Sequence, residues 1–164
     1  MKRSKLIISV LLALMFLTPI SLKALIFTVG DIQYWVTIDE EVIVDKYVGS
    51  DDILTLSVPG TVTYNNQEFT VTSIGFNAFS ELNSLREITL PSSVTSIGVA
   101  AFSGCTNLAK VNIPEGVTSI EGSAFSECKS LSEIIIPSSV TSIGEYAFSG
   151  CTNLAKVNIP EGVT

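Results

Sequence analysis

The 164-residue chain has no histidine, one tryptophan, three cysteines and few charges, which make up 15% of residues against 46% hydrophobic. Without imidazole it lacks the most frequent general acid/base and the most frequent metal ligand, which lowers the expectation of catalysis. Bases are also scarce, with 9 Lys and Arg against 16 Asp and Glu. That balance excludes a basic nucleic-acid binder. Long charged tracts are missing too, and the apolar content is ample for burial, so the chain reads as one packed unit at most rather than as disorder.

Long hydrophobic runs are confined to one place. Lys2, Arg3 and Lys5 precede the uncharged run LIISVLLALMFLTPI from Leu6 to Ile20. A bilayer span needs about 20 apolar residues, more than this run supplies. Ser21-Leu22-Lys23-Ala24 then forms a polar break ending in a small residue, so residues 1–24 read as a signal peptide cut after Ala24. Ser21 is an alternative cut, and an uncleaved amphipathic or core helix is the alternative to any cut. Removal takes away Lys2, Arg3, Lys5 and Lys23 and no acid, leaving 5 bases against 16 acids, net −11. Such a surface suits a secreted or cell-surface protein and disfavours DNA or acidic lipid. Membrane contact is expected only through the signal peptide or a missing C-terminal anchor.

What the sequence has is repetition. Units begin at Ile74, Ile97, Ile120 and Ile143, 23 residues apart, as in IGVAAFSGCTNLAKVNIPEGVTS from Ile97. A period in the twenties means one strand and one short helical or irregular segment per coil, stacked on its neighbours because no single coil buries its own apolar face. Val111 and Ile113 have strand spacing, and Pro114, with no N–H, should end the pairing. Phe102, Cys105 and Leu108 lie three apart, which predicts a helical or 3₁₀ turn. The unit therefore reads strand, turn, short helix, return. Phe79, Phe102, Phe125 and Phe148 fall in one column and are expected to form an interior spine. The stretch AFSGCTNLAKVNIPEGVT occurs unchanged from Ala101 and from Ala147, implying a double unit of 46 residues.

The run Ile-Gly-x-x-Ala-Phe-Ser-x-Cys-x-x-Leu-x-x-Val-x-Ile-Pro-x-x-Val-Thr-Ser, recurring over residues 74–164, resembles the BspA-like bacterial surface proteins with leucine-rich repeats. The resemblance implies a curved leucine-rich-repeat solenoid and an association with cell-surface adhesion. Two departures stand out. Glu121 occupies the place of Gly75, Gly98 and Gly144, so the turn there does not require a glycine conformation. The chain stops at Thr164, before a Ser and without a polar terminal coil, from which a fragment or an end closed by a partner is expected.

Residues 25–73 are expected to form a β-rich N-terminal cap with a half repeat. Gln33 to Ile38 and Glu41 to Tyr47 alternate like a hairpin, and Ile53, Leu56, Val58, Pro59 and Val62 repeat the spacing of Leu85, Ile88, Leu90, Pro91 and Val94. Asn65 and Asn66 suit positive-φ turn positions between two β-prone runs. Eight of the nine charged residues here are acidic, which discourages stacking of another molecule on that end.

Cys105, Cys128 and Cys151 share a column with Leu82, so their site is apolar and enclosed. Zinc commonly takes four donors including His or paired Cys-x-x-Cys, and neither is present. A disulfide between adjacent coils is the alternative, since coils about 4.8 Å apart fall within the roughly 4.4–6.8 Å that a bridge spans between Cα atoms. Three cysteines would leave one over, and free buried thiols are expected.

The outward strand positions are the candidate binding face: Glu87, Lys110, Glu133 and Lys156 in one column, Thr89, Asn112, Ile135 and Asn158 in the other. Its plainer reading is a Glu–Lys ladder that fixes register and neutralises itself, each exposed pair contributing about 0.2–1 kcal/mol. The face lacks Trp, Tyr and Arg, so four coils alone should bind weakly and gain by avidity in a longer array. Phe76 and Tyr146 are contact points on another edge, or incidental. Catalysis has little support. Asp39, Glu40, Glu41, Asp51 and Asp52 are suited to glycoside hydrolysis or calcium, but they sit in predicted turns without the spacing of a calcium loop. No Gly-x-Ser-x-Gly elbow or phosphate-cradling glycine loop occurs. The expectation is a module that is not an enzyme, uses no cofactor or metal, and binds an extracellular or host-surface protein. The alternatives are a structural spacer or an accessory repeat domain of a larger secreted protein or enzyme.

Overall fold

A computed structural model describes residues 26–37, 39 and 41–164. The signal peptide expected at residues 1–24, and Glu40 of the acidic group, lie outside them. Among the described residues there are thirteen strands and no helix.

The coils are built on five three-residue strands and three two-residue strands. The three-residue set is β4 (Thr55–Ser57), β7 (Glu87–Thr89), β9 (Lys110–Asn112), β11 (Glu133–Ile135) and β13 (Lys156–Asn158). The shorter set is β8 (Ser96–Ile97), β10 (Ser119–Ile120) and β12 (Ser142–Ile143). Equivalent residues pair in parallel, Ile97 with Ile120 and Ile120 with Ile143, so the 23-residue period becomes the stacking register. Threonines reinforce it: the hydroxyls of Thr95, Thr118, Thr141 and Thr164 each donate to the carbonyl one coil back, at 3.1–3.3 Å.

The expected short helix is absent; in its place each coil makes a run of turns. Two left-handed residues interrupt every such run, for example Ala100 at φ 53° and Gly104 at φ 75°. A continuous right-handed helix cannot contain them. The N–H groups instead alternate in use. Those of Ala101, Ser103 and Cys105 close turns onto carbonyls three residues back, while those of Ala100, Phe102 and Gly104 donate to Gly122, Ala124 and Ser126 of the next coil at 2.8–3.0 Å. Spacings of three thus reflected turns whose other donors belong to an inter-coil ladder.

The phenylalanine column is an interior spine. Rings of Phe79, Phe102, Phe125 and Phe148 stack nearly parallel at 5.4, 5.1 and 5.6 Å, and the first three are almost completely buried. Leu85, Leu108, Leu131, Ile88 and Ile134 close the core from the strand side. The column of Gly75, Gly98, Glu121 and Gly144 has no positive φ. Its glycines serve close approach: a Cβ on Gly98 would lie 2.7 Å from the Ile74 carbonyl oxygen.

The N-terminal segment folds as β1 (Ile26–Val29), β2 (Ile32–Val36), β3 (Glu41–Tyr47), β5 (Thr61–Tyr64) and β6 (Gln67–Ile74). β2 and β3 are antiparallel as the alternation suggests, and Asn65 and Asn66, at φ 50° and 62°, turn β5 into β6. β4 pairs with β7, Leu56 beside Ile88, so the half repeat stacks as a coil. β3 and β6 carry the segment into the stack: Val44 pairs with Ile74, Ile74 with Ile97, and the Tyr47 N–H donates to the Ala78 carbonyl at 2.8 Å. Phe27 packs against Tyr34, Tyr64 and Phe69 beneath this sheet.

Candidate functional site

In β7, β9 and β11 one buried residue stands between two outward ones, whereas all three residues of β13 are exposed. In β9, Val111 is buried between exposed Lys110 and Asn112; in β11, Ile134 is buried between exposed Glu133 and Ile135. Parallel register places Glu87 beside Lys110 and Thr89 beside Asn112, then Glu133 beside Lys156 and Ile135 beside Asn158. The two columns of outward side chains therefore exist on the surface as the sequence spacing requires.

The charge ladder is not continuous. Lys110 Nζ meets Glu87 at 2.5 Å and Lys156 Nζ meets Glu133 at 3.5 Å, and no ion pair joins Lys110 to Glu133. The backbone is divided at the same place. β4, β7 and β9 form one sheet and β11 and β13 another, and no backbone hydrogen bond links β9 to β11. Coils two and three stay joined elsewhere, through β8–β10, the turn ladder, and the Ser130 N–H on the Thr106 carbonyl at 3.1 Å.

An open groove of about 660 Å³ occupies this division, lined by Lys110, Asn112 and Glu115 on one side and Ser132, Glu133 and Ile135 on the other. A smaller depression of about 260 Å³ continues over Ile135, Lys156 and Asn158. Ile135 is 67% exposed. The groove offers backbone donors and acceptors, both signs of charge and one large apolar side chain, a mixture suited to polypeptide. Glu87 and Thr89 lie on the face but outside the groove lining.

The thiols face inward. Cys105, Cys128 and Cys151 donate to the carbonyls of Phe79, Phe102 and Phe125 at 3.0, 3.2 and 3.0 Å and form no disulfide. Burial pushes the Cys105 thiol up to about 12 and raises Cys128 and Cys151 as well, so they are poor nucleophiles at neutral pH. Among the described residues no three His, Cys, Asp or Glu side chains gather as metal donors, and no helix is long and apolar enough to cross a membrane. Phe76 and Tyr146 are largely exposed, away from the strand face.

The profile of the BspA type leucine rich repeat region matches residues 61–164 in six copies. The chain belongs to this family. Its match begins in β5, ahead of the first full 23-residue unit. Among solved structures, the chain is similar to a leucine-rich repeat protein of T. pallidum, with 34% identity and TM-score 0.75 over 84% of this chain and 62% of that one. It is also similar to one from Bacteroides ovatus, with 37% identity and TM-score 0.78 over 84% of this chain and 36% of the other. A third is a leucine rich cell surface protein from Faecalibacterium prausnitzii, with 28% identity and TM-score 0.68 over 85% and 44%. The chain thus spans less than two thirds of the length of these relatives. No curated protein sequence matches it.

Sequence spacing found the two outward columns but missed the division between β9 and β11. A period of 23 is blind to it, because every junction carries the same pattern of apolar positions. The one local signal was Ile135 at a position filled elsewhere by Thr or Asn.

Proposed function

We propose that this BspA-type repeat chain is a non-enzymatic protein-binding module of a secreted or cell-surface protein, and that it attaches to host or neighbouring-cell proteins through the strand face. Residues 1–24 export it, and residues 25–73 cap the first coil. The observation that carries the reading is the groove between β9 and β11, with Ile135 standing exposed on its lip beside Lys156 and Asn158. A large apolar side chain amid exposed polar groups is the kind of anchor that a partner's pocket desolvates. Support for the setting comes from the cell-surface relative and from the acid-rich surface left once residues 1–24 are removed.

The test is a capture experiment. The chain without residues 1–24 is immobilised against extracellular and host-surface proteins, beside an Ile135→Ser variant. Capture that falls at least tenfold in the variant, with an unchanged melting curve, supports the face as the site. Undiminished capture places the site elsewhere.

A spacer role has one observation in its favour: Lys110 and Lys156 already have partners in Glu87 and Glu133, so the charges are satisfied within the chain. Reversing both lysines separates the readings. A binder changes its attachment, whereas a spacer loses only a little stability.

A further inference from the structure

Phe76 and Val99 hold equivalent positions on the first and second coils and are 68% and 44% exposed. Neither stands at an end of the stack. The first coil lies between β3 and the second coil, and the second between the first and third. The Gly75 N–H donates to the Val44 carbonyl, that of Asn77 to Val99, and that of Ala100 to Gly122, at 2.8–3.1 Å. Both side chains are thus exposed with the neighbouring coils already in place. The N-terminal sheet continues this apolar surface. Ile26 pairs with Trp35 and Trp35 with Ile43 across β1, β2 and β3, so the three share one face of the sheet. Trp35 is 42% exposed, while the alternate residues Phe27, Tyr34 and Val44 are buried in the core. Ile43 reaches the first coil, since a Cβ on Gly75 would lie 3.2 Å from its Cγ2, and Phe76 follows Gly75 directly.

The band formed by Ile26, Trp35, Ile43, Phe76 and Val99 is set among acids. Glu41 and Asp45 stand two residues to either side of Ile43, Glu68 lies on β6, and Glu121 sits beside Gly98 on the third coil. Lys46 is the one base on β1, β2, β3 and β6. An acid-rimmed surface repels acidic lipid, and a second copy of this chain would set acids against acids. A cation complements it. Tryptophan is the ring that attracts a cation best, and a guanidinium both stacks on aromatic faces and grips carboxylates in a fork. Diagonal neighbours across paired strands lie about 7–8 Å apart, so Glu41 and Asp45 are within reach of an arginine seated on Trp35, whose direct partner is Ile43. Large exposed apolar patches rimmed by polar groups mark interaction sites, and this one carries the aromatic residues that the strand face lacks.

We propose that this band is a docking site for a cationic segment of another polypeptide in which arginine alternates with apolar side chains. The apolar groups cover Ile43, Phe76 and Val99, and a guanidinium stacks on Trp35 between Glu41 and Asp45. The proposal is independent of binding at the strand face, which belongs to other sheets. Trp35, the only tryptophan of the chain, reports on occupancy directly.

The chain without residues 1–24, as in the capture experiment, is titrated with a short synthetic peptide alternating arginine and leucine while Trp35 emission is followed. A saturable blue shift is expected. A peptide alternating glutamate and leucine should bind at least tenfold more weakly. Phe76→Ser should weaken the arginine–leucine peptide at least tenfold without moving the melting curve, because the side chain is largely exposed, and Val99→Ser repeats the test on the next coil. Ile135→Ser should leave the titration unchanged. Absence of a saturable shift overturns the site, and equal binding of the two peptides overturns its cationic partner. Full affinity in both Phe76→Ser and Val99→Ser reduces the effect to general attraction by an acidic surface and overturns the band. Loss of affinity in Ile135→Ser assigns the peptide to the strand face instead.

Discussion

Phe102→Ala and Phe148→Ala form a matched pair, because both residues sit in the same 18-residue sequence and differ only in what lies above them. Propensity and unfolded-state effects therefore cancel to first order. Phe102 is fully buried, with rings 5.4 Å below and 5.1 Å above, and its removal should cost about 3–5 kcal/mol through lost burial and an incompletely collapsed cavity. Phe148 has a ring on one side only, at 5.6 Å, and solvent can relax the other side of the vacancy. Roughly half the cost, about 1.5–2.5 kcal/mol, is expected there. Urea unfolding with both near- and far-ultraviolet circular dichroism measures the difference, and hydrogen exchange of the last coil separates local fraying from global unfolding. Equal destabilisation by the two variants would refute the dependence of the cost on how many rings flank the one removed. Wild-type stability for Phe102→Ala would refute it outright.

Three further outcomes follow from other contacts. Burial holds the Cys105 thiol near 12 from an ordinary value of 9.0, so its neutral form stabilises the fold fully below about pH 9 and the benefit is lost as pH rises through about 12. Cys105→Ala should therefore flatten the decline of the unfolding midpoint between pH 9 and 11; an unaltered slope would contradict it. Glu81 sits at φ 61°, where glycine serves the second and fourth coils, so Glu81→Gly should raise stability by roughly 0.5–1 kcal/mol in thermal unfolding, and a loss of that size would show the side chain to be needed. Lys110→Glu places two carboxylates side by side on an exposed face, so it should lower stability by less than about 1 kcal/mol and the loss should fade in 1 M salt; a larger, salt-independent loss would mean that the pair with Glu87 is structural.

Much of this fold was legible because stacking converts sequence period directly into register. The Phe79 to Phe148 column, the Leu56 half repeat beside Ile88 and the Asn65-Asn66 turn all follow from residue type and spacing. The turn segment did not. Phe102, Cys105 and Leu108 lie three apart in both a helix and a chain of turns, and what decides between them is the left-handed backbone at Ala100, a residue with no strong preference for it. β1 was missed for a different reason. Its four residues gain their order from pairing with β2, and the turn signal at Gly30-Asp31 is short. The two-residue strands at Ser96, Ser119 and Ser142 were equally hidden, since two residues cannot display a period. For the candidate face, the columns came from alternation, but the break in the ladder is a property of one junction that its neighbours do not share.

That break also gives the molecule a mechanical seam. The turn side and the Ser-Ile side zip coils two and three together, while the strand side between β9 and β11 has only side-chain packing to hold it. A load drawn across the stack meets its weakest resistance there, and the coils should open about the zipped edges like covers about a binding.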